Sequence, residues 1–487
     1  MKCRADAGRF RTVLVGLGSF ASATMPIGTR AEDGITRLLD FEPRVSVGET
    51  YSDGGRAFGS DAGGWTTSVS PGMKVFRQGG RVKTDVDYSL NNLYYHRDGE
   101  TDLRHQLNGS VLAELLQNEI FVDSNFRKRD QIISPLGASN LDSSLQRDNL
   151  TSSTSWSVGP RWEHRFGATA SSVLEYQINR VSFSQDAADD SWGSNLRGTL
   201  DSGSSFSDWF WSADYSKNDV RYSGENSKST FERYSATVGY NVTRKLNVYY
   251  VLGNETNSYR DSVGDTGGSY WNVGLGFNPS VRTAFNGSVG KRFFGDTYSL
   301  SLIHQARRWN VNLSRSETIT TTRQQQLGQI FLICPPEIPN CTPEEAIAFG
   351  FDMGVRNGTY VQKSLNGAAS YTRAKSALTL SVFEQQREYR DGSGGNDKSS
   401  GVTLGWDWHF GPRTDFFAST GWTRYRFLSE SNDEVSRWFL RTGLQRDLSS
   451  DLSGTLSYSY QKRSSDGMRA GSGGGGNTVS AHLTKRF

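Results

Sequence analysis

The chain has little of what marks most protein classes of its size. Only 3 of 487 residues are cysteine and only 11 are proline. The six histidines, at 96, 105, 164, 304, 409 and 482, are scattered rather than set at metal-ligand spacing. No G-x-G-x-x-G, Walker A, H-E-x-x-H or EF-hand pattern occurs, so neither an enzyme nor a cofactor is expected. Beyond the first 25 residues no apolar stretch approaches the ~20 residues that cross a bilayer as a helix, which excludes a helical membrane protein. Charge of one sign is also lacking. Outside residues 1–23 the chain carries 50 basic and 50 acidic side chains, without the basic footprint of a nucleic-acid binder.

Aromatics, in contrast, reach 12% and glycine stands at 53, which excludes a disordered chain; the absence of a glycine at every third position excludes collagen. The first residues read as an export signal. Lys2, Arg4, Arg9 and Arg11 precede a short apolar core, Thr12 to Phe20, and Ala21-Ser22-Ala23 offers a cleavage site, with a second after Ala31. Residues 24–43 are expected to be a periplasmic N-terminal segment, and 44–487 the folded body.

From Arg44 onward, segments of alternating apolar and polar residues repeat between Gly, Asn, Asp and Ser clusters. The period is 2, that of a strand, not 3.6. Val402, Leu404, Trp406, Trp408 and Phe410, for example, alternate with Thr403, Gly405, Asp407 and His409. About 22 such segments can be drawn, with 18 as the lower bound; the count is least secure over 280–308, which has no long connection between its strands. Elsewhere connections alternate between tight (78–80, 243–245, 411–413) and long (97–104, 131–152, 324–357, 466–475). One face is rich in Trp, Tyr and Phe, the other in Ser, Thr, Asn, Gly and charge. Apolar outside, polar inside and asymmetric connections predict an all-β, transmembrane antiparallel barrel of the bacterial outer membrane, with short periplasmic turns and longer extracellular loops. An even strand number puts both termini in the periplasm. Aromatics at strand ends, such as Tyr94, Trp309 and Trp438, fit interfacial girdles. The terminal strand closes on Phe487, which resembles the assembly signal read by the outer-membrane barrel assembly machinery.

Twenty-two strands imply a backbone diameter of about 40 Å, so something must narrow the lumen. Too few residues precede Arg44 for a plug domain, which argues against a siderophore-type receptor and leaves the loops. The longest loop, 324–357, contains Cys334 and Cys341, the only cysteines after processing; export through an oxidising compartment predicts a disulfide between them. Three prolines stiffen that ring. The loop is expected either to fold into the lumen as a constriction or to protrude. Candidate lumen-lining residues are Lys83, Asp85, Asp87, Thr403, Asp407, His409, Arg424 and Arg426. Thr403, Asp407 and His409 only superficially suggest a hydrolase trio, since no nucleophile motif surrounds them.

Phe41-Glu42-Pro43-Arg44-Val45-Ser46-Val47-Gly48-Glu49-Thr50-Tyr51-Ser52-Asp53, then Ser70-Pro71-Gly72-Met73 and Asp87-Tyr88-Ser89-Leu90, resemble the opening of the outer-membrane barrel family associated with PEP-CTERM and exosortase systems. Tyr371-Thr372-Arg373-Ala374-Lys375-Ser376 and Arg387-Glu388-Tyr389 are similar to its late-barrel pattern. The resemblance implies exopolysaccharide export, a polysaccharide substrate and a periplasmic polysaccharide-export partner. It supplies no contact residues. A monomeric export channel is the leading expectation; a general or solute-specific diffusion porin, and a non-conducting structural or adhesin-like surface barrel, are the alternatives.

Overall fold

The computed structural model describes residues 39–54, 63–185, 187–223, 227–259, 264–328, 353–392, 395–428, 433–467 and 473–487. The export signal, most of the segment 24–43, and Cys334, Cys341 and the prolines between them lie outside the described residues.

Twenty-two strands form one sheet in which each strand pairs antiparallel with the next. In chain order they are β1 (Asp40–Ser52), β2 (Gly64–Arg77), β3 (Val82–Tyr95), β4 (Glu100–Leu116), β5 (Ile120–Ile132), β6 (Leu150–Phe166), β7 (Ala170–Phe183) and β8 (Ser191–Ser202). Then follow β9 (Trp209–Tyr222), β10 (Lys228–Thr243), β11 (Leu246–Ser258), β12 (Gly267–Ser280), β13 (Thr283–Arg292), β14 (Gly295–Gln305) and β15 (Trp309–Thr321). The last are β16 (Thr359–Arg373), β17 (Ser376–Tyr389), β18 (Asn396–Gly411), β19 (Thr414–Leu428), β20 (Glu434–Asp447), β21 (Leu452–Asp466) and β22 (Gly474–Arg486).

β1 also pairs with β22, from Arg44↔Arg486 to Ser52↔Thr478, and this closes the barrel. Closure leaves no strand edge unpaired, the condition for a sheet in hydrocarbon. The Phe487 amide donates to the Pro43 carbonyl at 2.9 Å, and β1 starts at Asp40 rather than Arg44, so the last four residues of the expected N-terminal segment are barrel wall. The 280–308 stretch holds two strands joined by a tight hairpin at Phe293-Phe294, so the count stays at 22.

Alternation along each strand sets the two faces. Outward side chains are large and exposed: Val402, Leu404, Trp406 and Trp408 are 37–41% exposed although apolar, as a lipid-facing surface requires. Inward side chains are polar or small. Many glycines sit on this inner face where a neighbouring strand lays an aromatic ring over them. A Cβ at Gly239 would lie 2.0 Å from the Phe210 ring, and one at Gly274 2.2 Å from that of Tyr249. Gly159 meets backbone instead: its Cβ would lie 1.8 Å from the Tyr176 carbonyl oxygen, where Pro160 interrupts the pairing of β6 with β7.

Candidate functional site: the lumen and its inward loops

The β5–β6 connection, residues 133–149, does not project from the rim. It folds back along the inner wall and holds its own shape. Asn149, in the left-handed region at φ 59°, donates from Nδ2 to the carbonyls of Ser134 and Ala138 at 2.7 and 2.9 Å. Its Oδ1 accepts from the Ser134 amide at 2.8 Å. Gln146 accepts from the Asn140 amide and donates to Ala138 O, at 2.8 and 3.0 Å. Asp142 caps a single 3-10 turn at Ser143–Leu145 by accepting from the Ser144 amide at 3.0 Å. The result is a compact loop whose ends are adjacent, since Ile132 pairs with Leu150.

Inward side chains from two separate parts of the wall hold it. Arg104 of β4, 7% exposed, donates to the carbonyls of Ser143 and Gln146, each at 2.6 Å, and Tyr95 Oη donates to Ser144 O at 2.9 Å. On the other side, Gln461 of β21 bonds the Leu141 amide and Ser139 O, both at 3.2 Å; Arg437 of β20 donates to Pro135 O at 2.9 Å, and Arg463 to Leu136 O. Arg147 pairs with Asp98 in the β3–β4 turn and with Glu100 at the start of β4, and its hydrogen bond to Asp98 holds that carboxyl below the usual carboxylate range. Charge-assisted bonds to backbone carbonyls leave little freedom to a segment that would otherwise swing in solvent.

A second element enters from β15. Helix α1 (Thr322–Gly328) reaches across to the wall at β5, β7 and β8. Arg323 Nε donates to Ser191 Oγ at 2.8 Å and Nη2 to Asn179 O at 3.2 Å; Gln326 donates to Gln131 Oε1 at 3.0 Å. Burial pushes the Arg323 guanidinium down to about 10. Where the chain returns, Arg387 of β17 donates to Met353 O at 2.7 Å and pairs with Asp397 at 2.5–2.8 Å, both fully buried. The Val355 amide donates to Ile133 O at 2.9 Å, which joins the two inward segments. Both described flanks of the 324–357 loop thus turn inward, and loop 133–149 is held in a shape of its own.

Between loop 133–149 and the wall lies a cavity of about 380 Å³. Hydroxyls line it, among them Ser46, Ser68, Ser89, Ser457 and Ser480, together with the guanidinium groups of Arg44, Arg104, Arg129 and Arg441, and His482. Asp130 and Asp142 are its acidic members. Arg441 lies over the Phe417 ring at 5.5 Å, and Arg44 is held by both oxygens of Asp87 at 2.5 and 2.9 Å. The space suits a polar, hydroxylated or anionic solute better than an apolar one, because an apolar ligand would strip water from those groups without replacing it.

Of the residues singled out from sequence, Lys83, Asp85 and Asp87 share the inward face of β3 with Ser89, Asn91 and Leu93, and Asp87 holds Arg44 at the cavity. Asp85 lies 3.8 Å from Lys74. Thr403, Asp407 and His409 are inward on β18, but Thr403 and His409 are six residues, roughly 20 Å, apart along it and form no trio. His409 Nδ1 contacts Asp415 at 2.6 Å. Arg424 and Arg426 do not line the lumen. Trp422 pairs with lipid-facing Val402, and the two arginines follow on that same outer face, both bonded to Glu434 at 2.6–2.8 Å. Near the rim the wall has left the hydrocarbon, so outward residues turn polar and composition no longer distinguishes the faces.

The anchors Arg104, Gln461, Arg437 and Arg463 escape a reading of the sequence, since each is one more polar residue on a polar face. One signal existed. Ile132, Ile133, Leu136, Leu141 and Leu145 are more aliphatic residues than a solvated loop needs.

No family model matches the chain, and no curated protein does. Solved structures do. The chain is similar to the ferric enterobactin receptor of Pseudomonas aeruginosa, in a mutant bound to enterobactin, at TM-score 0.53 and 10% identity, covering 92% of this chain and 81% of that one. A second mutant of the same receptor gives 0.51 at 11% identity, with 92% and 80% covered. The siderophore receptor PirA of Acinetobacter baumannii gives 0.52 at 10%, again with 92% and 80% covered. At this identity the likeness is one of fold: a closed 22-stranded antiparallel barrel of the outer-membrane type.

Proposed function

We propose that this barrel is a solute-selective outer-membrane transport channel whose passage is controlled by the inward loop 133–149. The cavity between that loop and the wall carries the reading. A loop pinned by Arg104, Tyr95, Gln461, Arg437 and Arg463 narrows the passage, and the hydroxyl and guanidinium groups beneath it give that passage a polar surface able to discriminate among solutes. The barrels it resembles in fold are named as receptors for ferric enterobactin and siderophores, which favours capture and transport of a solute over free diffusion. A second reading, export of a polysaccharide, rests on the resemblance of Phe41 to Asp53 and the later motifs to the exosortase-associated barrels. The hydroxyl-lined chamber is chemically compatible with a sugar unit.

Because Ile132 and Leu150 are paired, residues 133–149 can be replaced by a two-residue Asn-Gly turn without disturbing the wall. In planar bilayers the wild type should conduct weakly and the replacement several-fold more strongly. Equal conductance would overturn control by this loop. Deleting the gene separates the two substrates: slowed uptake of a hydrophilic solute with normal surface polymer supports the first reading, and loss of polymer with normal uptake supports the second.

A further inference from the structure

The rim that carries the short turns is electrically lopsided. Arg244 and Lys245 sit between β10 and β11, Arg282 between β12 and β13, and Arg307 and Arg308 between β14 and β15. Continuing round the barrel, Arg373 and Lys375 flank the β16–β17 turn and Arg413 lies in the β18–β19 turn. All eight are exposed, no acidic residue occurs in these five turns, and none of the eight forms an ion pair among the described residues. The remaining turns of this rim are mixed. Arg77 donates to Gly79 O at 3.0 Å, Glu119 lies 3.4 Å from His164, and Asp451 holds Lys485.

A second observation sets the depth of this arc. An outward aromatic lies within five residues of the cations of each basic turn: Tyr240, Phe277, Trp309, Tyr371 and Phe410. Trp309 and Tyr371 are cross-strand partners with ring centroids 4.7 Å apart. Such rings mark the level where hydrocarbon gives way to headgroups, so the charges immediately beyond them lie among lipid phosphates rather than out in solvent. Unpaired cations clustered at one edge repel each other and persist most favourably beside a counter-charge.

We propose that this half of the rim, from the β10–β11 turn to the β18–β19 turn, is a binding surface for anionic phospholipid headgroups. It gathers acidic lipid along one arc of the barrel and leaves the opposite arc to neutral lipid. The proposal does not depend on what passes through the lumen. Each cation near an anionic membrane surface changes binding by about five-fold, so the arc as a whole should outcompete zwitterionic lipid.

The full barrel, reconstituted in mixed phosphatidylglycerol and phosphatidylcholine, should retain phosphatidylglycerol at least about five-fold over its bulk share when released lipid is counted by native mass spectrometry. Replacing all eight cations by Gln should remove that enrichment; replacing Arg77, Arg81 and Arg165 on the opposite arc should leave it intact. If the eight-fold variant does not fold, as judged by heat-modifiable electrophoretic mobility, the pair Arg307→Gln and Arg308→Gln should still lower it, and 0.5 M salt should lower it in the wild type. No enrichment in the wild type overturns the proposal. So does equal loss in the opposite-arc variant, or a wild type that shows no lipid preference yet binds an acidic protein through these turns.

Discussion

Two arcs of the same wall solve the problem of an oversized lumen differently. From β20 through β22 and β1 to β5, the inner face carries small hydroxyl side chains and leaves a shelf, and the 133–149 loop lies on it. From β9 to β14 there is no inward loop among the described residues, and side chains take the space instead. Phe210 covers Gly239, Tyr249 covers Gly274, and Tyr270 covers Gly253. Glu255 and Arg292, 1% and 8% exposed, form a buried ion pair against the Tyr270 and Phe294 rings. One arc is narrowed by a loop pinned to the wall and the other by the wall's own side chains.

Substitutions on the two arcs should therefore fail differently. The largest effect on the barrel is expected from Arg292→Leu, which leaves Glu255 buried without its partner; the cost is about 3–5 kcal/mol, read as a lowered urea midpoint of unfolding. A midpoint unchanged within error would mean that water reaches Glu255 and that this arc is not packed. Gly239→Val should cost about 1–3 kcal/mol by displacing the Phe210 ring, and a second change, Phe210→Ala, should recover part of it. On the loop-bearing arc, replacing the cavity-lining Ser459 of β21, Ser459→Val, should cost no more than about 0.5 kcal/mol; comparable losses at the two positions would erase the distinction. The smallest effect on barrel stability belongs to Arg104→Leu. That change frees Ser143 and Gln146 from the wall, so limited proteolysis should cut within 134–148 and conductance should rise while the unfolding midpoint barely moves. A fall in midpoint as large as that of Arg292→Leu would make loop 133–149 part of the barrel's structural core rather than a gate.

Much of the architecture could be read from residue order. A period of 2 over Val402 to Phe410 is incompatible with a helix, and its apolar half, with Trp406 and Trp408 exposed, requires lipid. The 22 strands follow from such segments, including the two in 280–308, where a hairpin turn as tight as Phe293-Phe294 leaves no connection to notice. Local pattern failed at the ends of the wall. β1 runs back to Asp40 because Asp40 to Pro43 pair with Phe76 to Met73 of β2, a partnership that local alternation does not announce. Arg424 and Arg426 were expected inside and stand outside, because above the membrane both faces are wetted and polarity carries no side information.

The site was less legible than the wall. Lys83, Asp85 and Asp87 share one face of β3, yet their sequence did not show that Asp87 holds Arg44 at a cavity, because β1 and β3 are not neighbours but meet across β2. The cysteines and prolines of the 324–357 loop are local features that say nothing about contacts. Loop 133–149, which the wall holds at both sides, has no cysteine and a single proline, Pro135.

The sequence by itself determined the class of fold and its orientation to lipid, since strand period, face polarity and turn chemistry are properties of neighbours in the chain. Only the tertiary structure decided what occupies the lumen. That depends on Arg104, Gln461, Arg437 and Arg463 converging on one loop from strands hundreds of residues apart, and no interaction between adjacent residues encodes such a meeting until the barrel has closed.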